Sequence, residues 1–161
     1  MADKTFGRGQ QFQVCTTAQN DELDASEFGA LTYVDVCCIQ ETPELSSEAN
    51  IIAENCISGE RIRGVGADTD TDFEVTWFYD NACTGQDNLR TFGLAKSSTA
   101  YAVRKVYADG VSGVTTPTYV YARVIFSGYK DSGIGIDDVQ TQGVMGTVVQ
   151  GPLVVKTAAI P

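Results

Sequence analysis

The sequence predicts a mainly β fold, a sandwich or barrel of about five to seven antiparallel strands with one flanking helix. Three observations predict it. Several segments alternate apolar and polar side chains with period two, the pattern of a half-buried strand. Sixteen glycines and four prolines accompany many Val, Thr and Tyr, a composition that favours strands and turns. A single segment carries a helical pattern. A chain of 161 residues is long enough to bury about 70% of its unfolded surface, so residues 1–161 are read as one domain whose core needs no cross-link.

The elements follow in order. Residues 1–30 are a polar N-terminal segment in which 11–17 read as a short strand, with Phe12 and Val14 on one face, and 18–26 as an acidic loop. Residues 31–40, LTYVDVCCIQ, are β-branched and aromatic and read as one strand. Residues 72–80, DFEVTWFYD, alternate strictly, which makes Phe73, Val75, Trp77 and Tyr79 the buried anchors of a core strand. The helix spans about 85–97, with Thr84 as cap, Asp87 completing a capping box, and Leu89 and Phe92 on the packing face. Gly93 weakens it by about 1 kcal/mol. Strands follow at 100–110, ending in an Asp-Gly turn, and at 118–129. A further strand places Val139, Thr141, Gly143, Met145, Thr147 and Val149 on one face, and 151–161 form a C-terminal extension.

Residues 41–72 break the pattern. They are rich in acids, Ser and Gly, with only ANIIAENC as an apolar patch. So long a weak stretch inside a compact domain points to a functional segment. It is read as an extended arm or β-hairpin that finds its partner surface on another copy. Its charged residues Glu44, Glu48, Glu54, Glu60, Arg61, Arg63, Asp68, Asp70 and Asp72 are the candidate contacts. Arg61 and Arg63 are the only cations between Arg8 and Arg90. They are read as interface or intramolecular ion-pair partners rather than phosphate ligands, because GERIRGVG lacks the Lys-Ser/Thr of a P-loop.

Charge is divided along the chain. Residues 1–80 hold sixteen Asp/Glu and four Lys/Arg, a net −12, and residues 81–161 hold five and seven, a net +2. A chain of net charge −10 is a poor ligand for nucleic acid. The acids either maintain solubility or oppose basic surfaces of other copies. No apolar run of about 18 residues is present to span a membrane. The polar start, MADKTFGRGQ, lacks the apolar region of a secretory signal, so a cytoplasmic origin is expected. The five cysteines, Cys15, Cys37, Cys38, Cys56 and Cys83, are accordingly expected to be free and mostly buried, with the adjacent Cys37 and Cys38 on opposite faces of a strand.

Catalytic and metal candidates fail on detail. Histidine is absent, which removes the usual general base and the commonest metal ligand. The run DTDTDF suggests a calcium loop, but counting from Asp68, position 6 is Phe73 instead of Gly and position 12 is Tyr79 instead of Glu. Asp137 and Asp138 are neighbours in a turn instead of an opposed carboxylate pair, and Tyr119 and Tyr121 on one strand face are read as core or interface packing. No catalytic residue, metal or cofactor is expected.

The order of these pieces is similar to a known family. ETPELSSEANIIAENC follows a strand, DTDFEVTWFYD follows a glycine-containing loop, a helix carries QDNLRTF, AYAVRKVYADG comes next, and a late strand ends in IDDVQTQGVMGTVVQGPLVV. Over about 32–155 this resembles the major tail tube proteins of long non-contractile-tailed, lambda-type bacteriophages. The resemblance implies a non-enzymatic virion protein, assembled in the host cytoplasm. Its six copies would join sheets edge to edge into a ring, and rings would stack into a tube that carries double-stranded DNA without binding it. Tape measure, terminator and distal tail proteins are implied partners. A tail terminator, a capsid decoration protein and a small carbohydrate-binding β-sandwich are the alternatives.

Overall fold

The computed structural model describes residues 9–161; the first eight residues of the N-terminal segment, Arg8 among them, lie outside the described residues. The elements run β1 (Gln11–Ala18), α1 (Ala25–Ala30), β2 (Tyr33–Asp35), β3 (Ile39–Glu41), β4 (Glu48–Asn55), β5 (Arg61–Thr69), β6 (Thr71–Phe78), α2 (Thr84–Ala95), β7 (Ala100–Val106), β8 (Tyr119–Asp131) and β9 (Thr141–Val155). Seven strands form one antiparallel sheet in the order β2-β1-β7-β8-β9-β6-β3, and β4 and β5 form a separate hairpin.

That order dictates the shape. β2 and β3 lie at opposite edges of the sheet, yet only residues 36–38 join them. Seven flat strands would span roughly 29 Å, whereas a three-residue connector reaches roughly 14 Å. The sheet therefore curls into a half-barrel. Both ends of the connector are hydrogen-bonded to the strands they meet: Val36 N donates to Phe12 O (3.0 Å), and Phe78 N donates to Cys38 O (2.9 Å).

The alternation read in β1 and β6 supplies part of the lining of the curl, whereas β9 lines it with Val144 and Val148, on the opposite face from Met145 and Thr147. Phe12 and Val14 from β1, Phe73, Val75 and Trp77 from β6, Val124 and Phe126 from β8, and Val144 and Val148 from β9 share one buried cluster. Helix α2 adds Leu89 to it, and Phe92 stacks on Tyr101 with ring centroids 3.9 Å apart. A second cluster gathers Cys15, Ala102 and Tyr121 under Phe28 of α1.

The N-terminus of α2 is bolted to the connector. Cys83 forms a disulfide with Cys37, with Cα atoms 6.1 Å apart. Gln86 is fully buried, and its Nε2 donates to Cys37 O (2.8 Å) and Phe78 O (2.9 Å) while its Oε1 accepts from Asp80 N (2.9 Å). Gly85 lies so close that a Cβ there would sit 2.1 Å from Asp35 O. Gly93, a weak point by helix propensity, serves the same close packing: its Cβ would come within 2.8 Å of Gly128 O.

Several expectations are corrected. Residues 31–40 are two short strands instead of one, because the chain must turn from one sheet edge to the other. Cys37 and Cys38 occupy that turn, with Cys38 at φ 57°, instead of opposite faces of a strand. The cysteines are not all free, since helix docking brings Cys37 and Cys83 together; Cys15 is buried, but Cys38 is exposed. Residue Cys83 caps α2 without a side-chain bond, so the Thr84–Asp87 capping box does not form. The capping box belongs to α1, where Asp24 and Glu27 exchange 2.8 Å bonds; this second helix replaces part of the expected acidic loop because Phe28 can be buried against Tyr121, 5.4 Å away. Tyr79 is not a core anchor. The strand ends at Phe78, and Tyr79 is 46% exposed beneath the Arg90 guanidinium at 5.7 Å. Residues 151–155 of the expected C-terminal extension complete β9.

Replacing Cys37 and Cys83 together by Ser should lower the unfolding free energy by up to about 4 kcal/mol, the loop-closure value for a separation of 46 residues. Gln86→Leu, which strands two carbonyls and an N–H, should cost about 2–5 kcal/mol. Urea unfolding followed by Trp77 fluorescence measures both, and equal stability of either variant to the wild type would contradict the corner's role.

Candidate assembly surface

The hairpin β4–β5 is a prolongation of the sheet's strands. A single residue, Asp70, separates β5 from β6, and Thr71 Oγ1 donates to Ser46 O (2.6 Å) to close the root. Beyond that root, among the described residues, the hairpin's strands pair only with each other. Ile51 and Val65 are 72% and 74% exposed, and Ile57 at the tip is fully exposed. A lone two-stranded hairpin is marginal in water, and large exposed aliphatic side chains mark a contact surface.

Register sorts the charges. Ile51 faces Val65, Ala53 faces Arg63, and Asn55 faces Arg61, so the two arginines share a face with Ile51 and Val65. Alternation along β4 puts Glu48, Ile52 and Glu54 on the opposite face. Asp68, opposite Ala49 near the root, lies beyond a register shift in the pairing. The ion pairs among the described residues are Arg90–Asp87 and Lys130–Glu74, and neither involves the arm.

The nine charged candidates therefore divide. Glu48, Glu54, Arg61, Arg63 and Asp68 stand on the hairpin strands, Glu60 in the tip turn, and Asp70 at the bend. Asp72 belongs to the sheet instead: it sits on β6 and accepts from Thr147 Oγ1 (2.9 Å). Glu44 lies between β3 and β4 at the body, where its carboxylate partly offsets the burial that pulls the Lys105 amine below its usual range. Glu41, Glu44, Asp72 and Glu74 line an open cleft of about 430 Å³ at the root, with Phe73 and Pro43 in its wall.

A second open surface is an edge. β9 pairs with β6 only as far as Val148, and its remaining residues pair only with β8. One side of the outer half of β9 is thus unpaired among the described residues.

Among the described residues no three of Cys, Asp and Glu are placed to hold a metal ion. Tyr121, a candidate stacking platform, is buried, with its ring packed by Phe28, Tyr33 and Tyr119. The Arg104 guanidinium lies 4.3 Å from the Tyr33 centroid and 4.9 Å from that of Tyr119. The faces a sugar would stack on are occupied by the protein itself. Burial, and then neighbouring Tyr121, push the Tyr33 phenol far above its ordinary range, and Arg104 opposes them.

Sequence reasoning missed Gln86, the Cys37–Cys83 pair and the β9 edge. Only the edge left a trace, in the length of the late alternating segment.

No family model matches the sequence, and no curated protein matches it. Solved structures do match in backbone course. A chain of the six-fold symmetrised anti-feeding prophage baseplate superposes with TM-score 0.65 at 8% identity, covering 97% of this chain and 98% of that one. The SPP1 tail tube gives TM-score 0.59 at 13% identity, over 91% of this chain and 77% of that one. The protein has a tail-tube fold. A chain from the tail of an empty GTA particle extends the comparison, with TM-score 0.59, 12% identity, and coverage of 96% and 100%. The backbone course is thus matched over nearly the whole chain by chains that share almost none of its sequence.

Hydrogen exchange of the isolated protein should separate arm from body. Amides of 48–69 should exchange orders of magnitude faster than those of β6, β8 and β9, since among the described residues their strands pair only with each other. Equal protection of both regions in the monomer would show that the arm is covered by its own chain.

Proposed function

We propose that the protein is the structural subunit of a phage tail tube. Six copies join their sheets edge to edge into a ring, and rings stack into a hollow tube through which the genome passes into the host cell. The observation that carries this reading is the tail-tube fold bearing an arm with no partner strand among the described residues of its own chain. The unpaired outer half of β9 supplies an edge for joining copies, which also removes an aggregation-prone open edge. Head-to-tail contacts do not close, so they build a filament. An acidic subunit suits a conduit, because it offers few cations to hold phosphates. On this reading the protein resides in the virion tail after assembly in the bacterial cytoplasm, alongside tape measure, terminator and distal tail proteins, and performs no catalysis.

A tail terminator is the second reading. It is favoured by the likeness, at TM-score 0.63 and 9% identity, to a chain in the structure of the PVC sheath/tube terminator of an extracellular contractile injection system in the extended state. Stacking separates the two: a terminator forms a ring and stops.

Electron microscopy of the purified protein, and of the virion it comes from, should show tubes of stacked rings. Rings that never stack would select the terminator, and a protein that stays monomeric with no such tube in the virion would overturn both readings. Deleting residues 47–70 and bridging the gap with a short glycine linker should abolish tubes and leave a folded monomer, because Ser46 and Thr71 are already in contact. Global unfolding of that variant by circular dichroism would show that the arm is not separable.

A further inference from the structure

The arm and the loop between β8 and β9 project from opposite ends of the sheet. β6 enters from the arm at Thr71 and ends at Phe78, eight residues or about 25 Å away. There Tyr79 N donates to Gln140 O (2.9 Å), which ties the end of β6 to the loop of residues 132–140. The loop is ordered at its base, where Gln140 Nε2 donates to Asp131 Oδ1 and to Ser132 O, both at 2.7 Å. Its crown turns through Gly135 N donating to Asp138 Oδ2 (2.9 Å). Ile134, Ile136 and Val139 are 52%, 103% and 63% exposed, and Asp137 between them is exposed and takes part in none of these bonds.

The two ends match. One arm face presents Ile51 and Val65 with Arg61 and Arg63; the loop presents three aliphatic side chains with Asp137 and Asp138. Neither arginine finds a carboxylate partner among the ion pairs of the described residues. We propose that the 132–140 loop is the docking site for the arginine-bearing face of the arm of a second copy. The contact is apolar at its centre and ion-paired at its margin, and it repeats head to tail because donor and acceptor occupy opposite ends of one chain. This rests on the tube reading and names the acceptor that reading leaves open. The acidic cleft at the arm's own root is the competing acceptor.

Charge exchange tests it, with sedimented polymer and electron microscopy as readouts. Arg61→Glu with Arg63→Glu, and Asp137→Lys with Asp138→Lys, should each reduce polymer at least tenfold. The quadruple variant, and an equal mixture of the two double variants, should recover it, since a Glu-bearing arm then meets a Lys-bearing loop. Asp137→Lys alone keeps the Gly135–Asp138 bond and should still weaken assembly, which separates docking from loop folding. If the wild type polymerises and the loop variants polymerise equally, or if the quadruple variant fails while both double variants remain folded, the docking is wrong and the tube reading stands. A wild type that never polymerises removes both.

Discussion

The three-residue connector between β2 and β3 is the constraint on which the rest of the structure depends. Joining opposite edges of a seven-stranded sheet with so few residues forces the sheet to curl. Curling turns one face into a trough that only a helix can fill, and α2 fills it with Leu89 and Phe92. The helix then returns the favour at the corner, where the Cys37–Cys83 bond and the Gln86 amide fix its N-terminus to the connector. Gln86 satisfies three backbone groups that curvature would otherwise leave buried and unpaired, so the polar network stabilises the bend that created it.

Curling also decides which β surfaces remain open. The edge strands β2 and β3 are three residues each and are tied to one another, so neither offers a long template. Among the described residues, the outer half of β9, the end of β8 beyond Ile125 and the arm that prolongs β6 lack a partner strand on one side. The body and the arm thus have different physics. The body is held by two apolar clusters, a disulfide and a saturated corner. The arm has a backbone ladder and little else, and its Ile51, Ile57 and Val65 await cover. On the tube proposal, such a segment would gain most of its order on meeting a second copy, as coupled folding and binding allows.

The parts of this fold that were legible are those set by local periodicity. Phe12, Val14, Phe73, Val75 and Trp77 declare their face by alternation, and Leu89 and Phe92 declare theirs by helical spacing. The mainly β class with a flanking helix follows from them. What stayed hidden is set by sequence-distant contact. Nothing in LTYVDVCCIQ says that its strand is interrupted, because the interruption is imposed by sheet edges that meet only when seven strands are in place. Cys37 and Cys83, 46 residues apart, look like two small hydrophobes until the helix docks. Tyr79 obeys the alternation and still leaves the core, because the strand ends one residue earlier. In the arm, the charged residues were visible but their division between faces was not, since it depends on register.

Net charge shapes how copies of this chain can meet. Each carries −10, so two copies approaching in dilute salt repel over long distance. At physiological ionic strength that repulsion is screened beyond about 8 Å. Attraction must then act inside this distance, from groups that touch. Aliphatic side chains with a few opposite charges at their margin meet that condition, because burial of apolar area does not depend on screening and the ion pairs need only choose orientation. The same acids that make copies repel at long range give the protein little attraction for another polyanion. The arm is itself acidic overall, with four acids against two arginines over 48–69. Register nonetheless puts both arginines on one face with Ile51 and Val65, and on the proposed docking that face would select one partner surface.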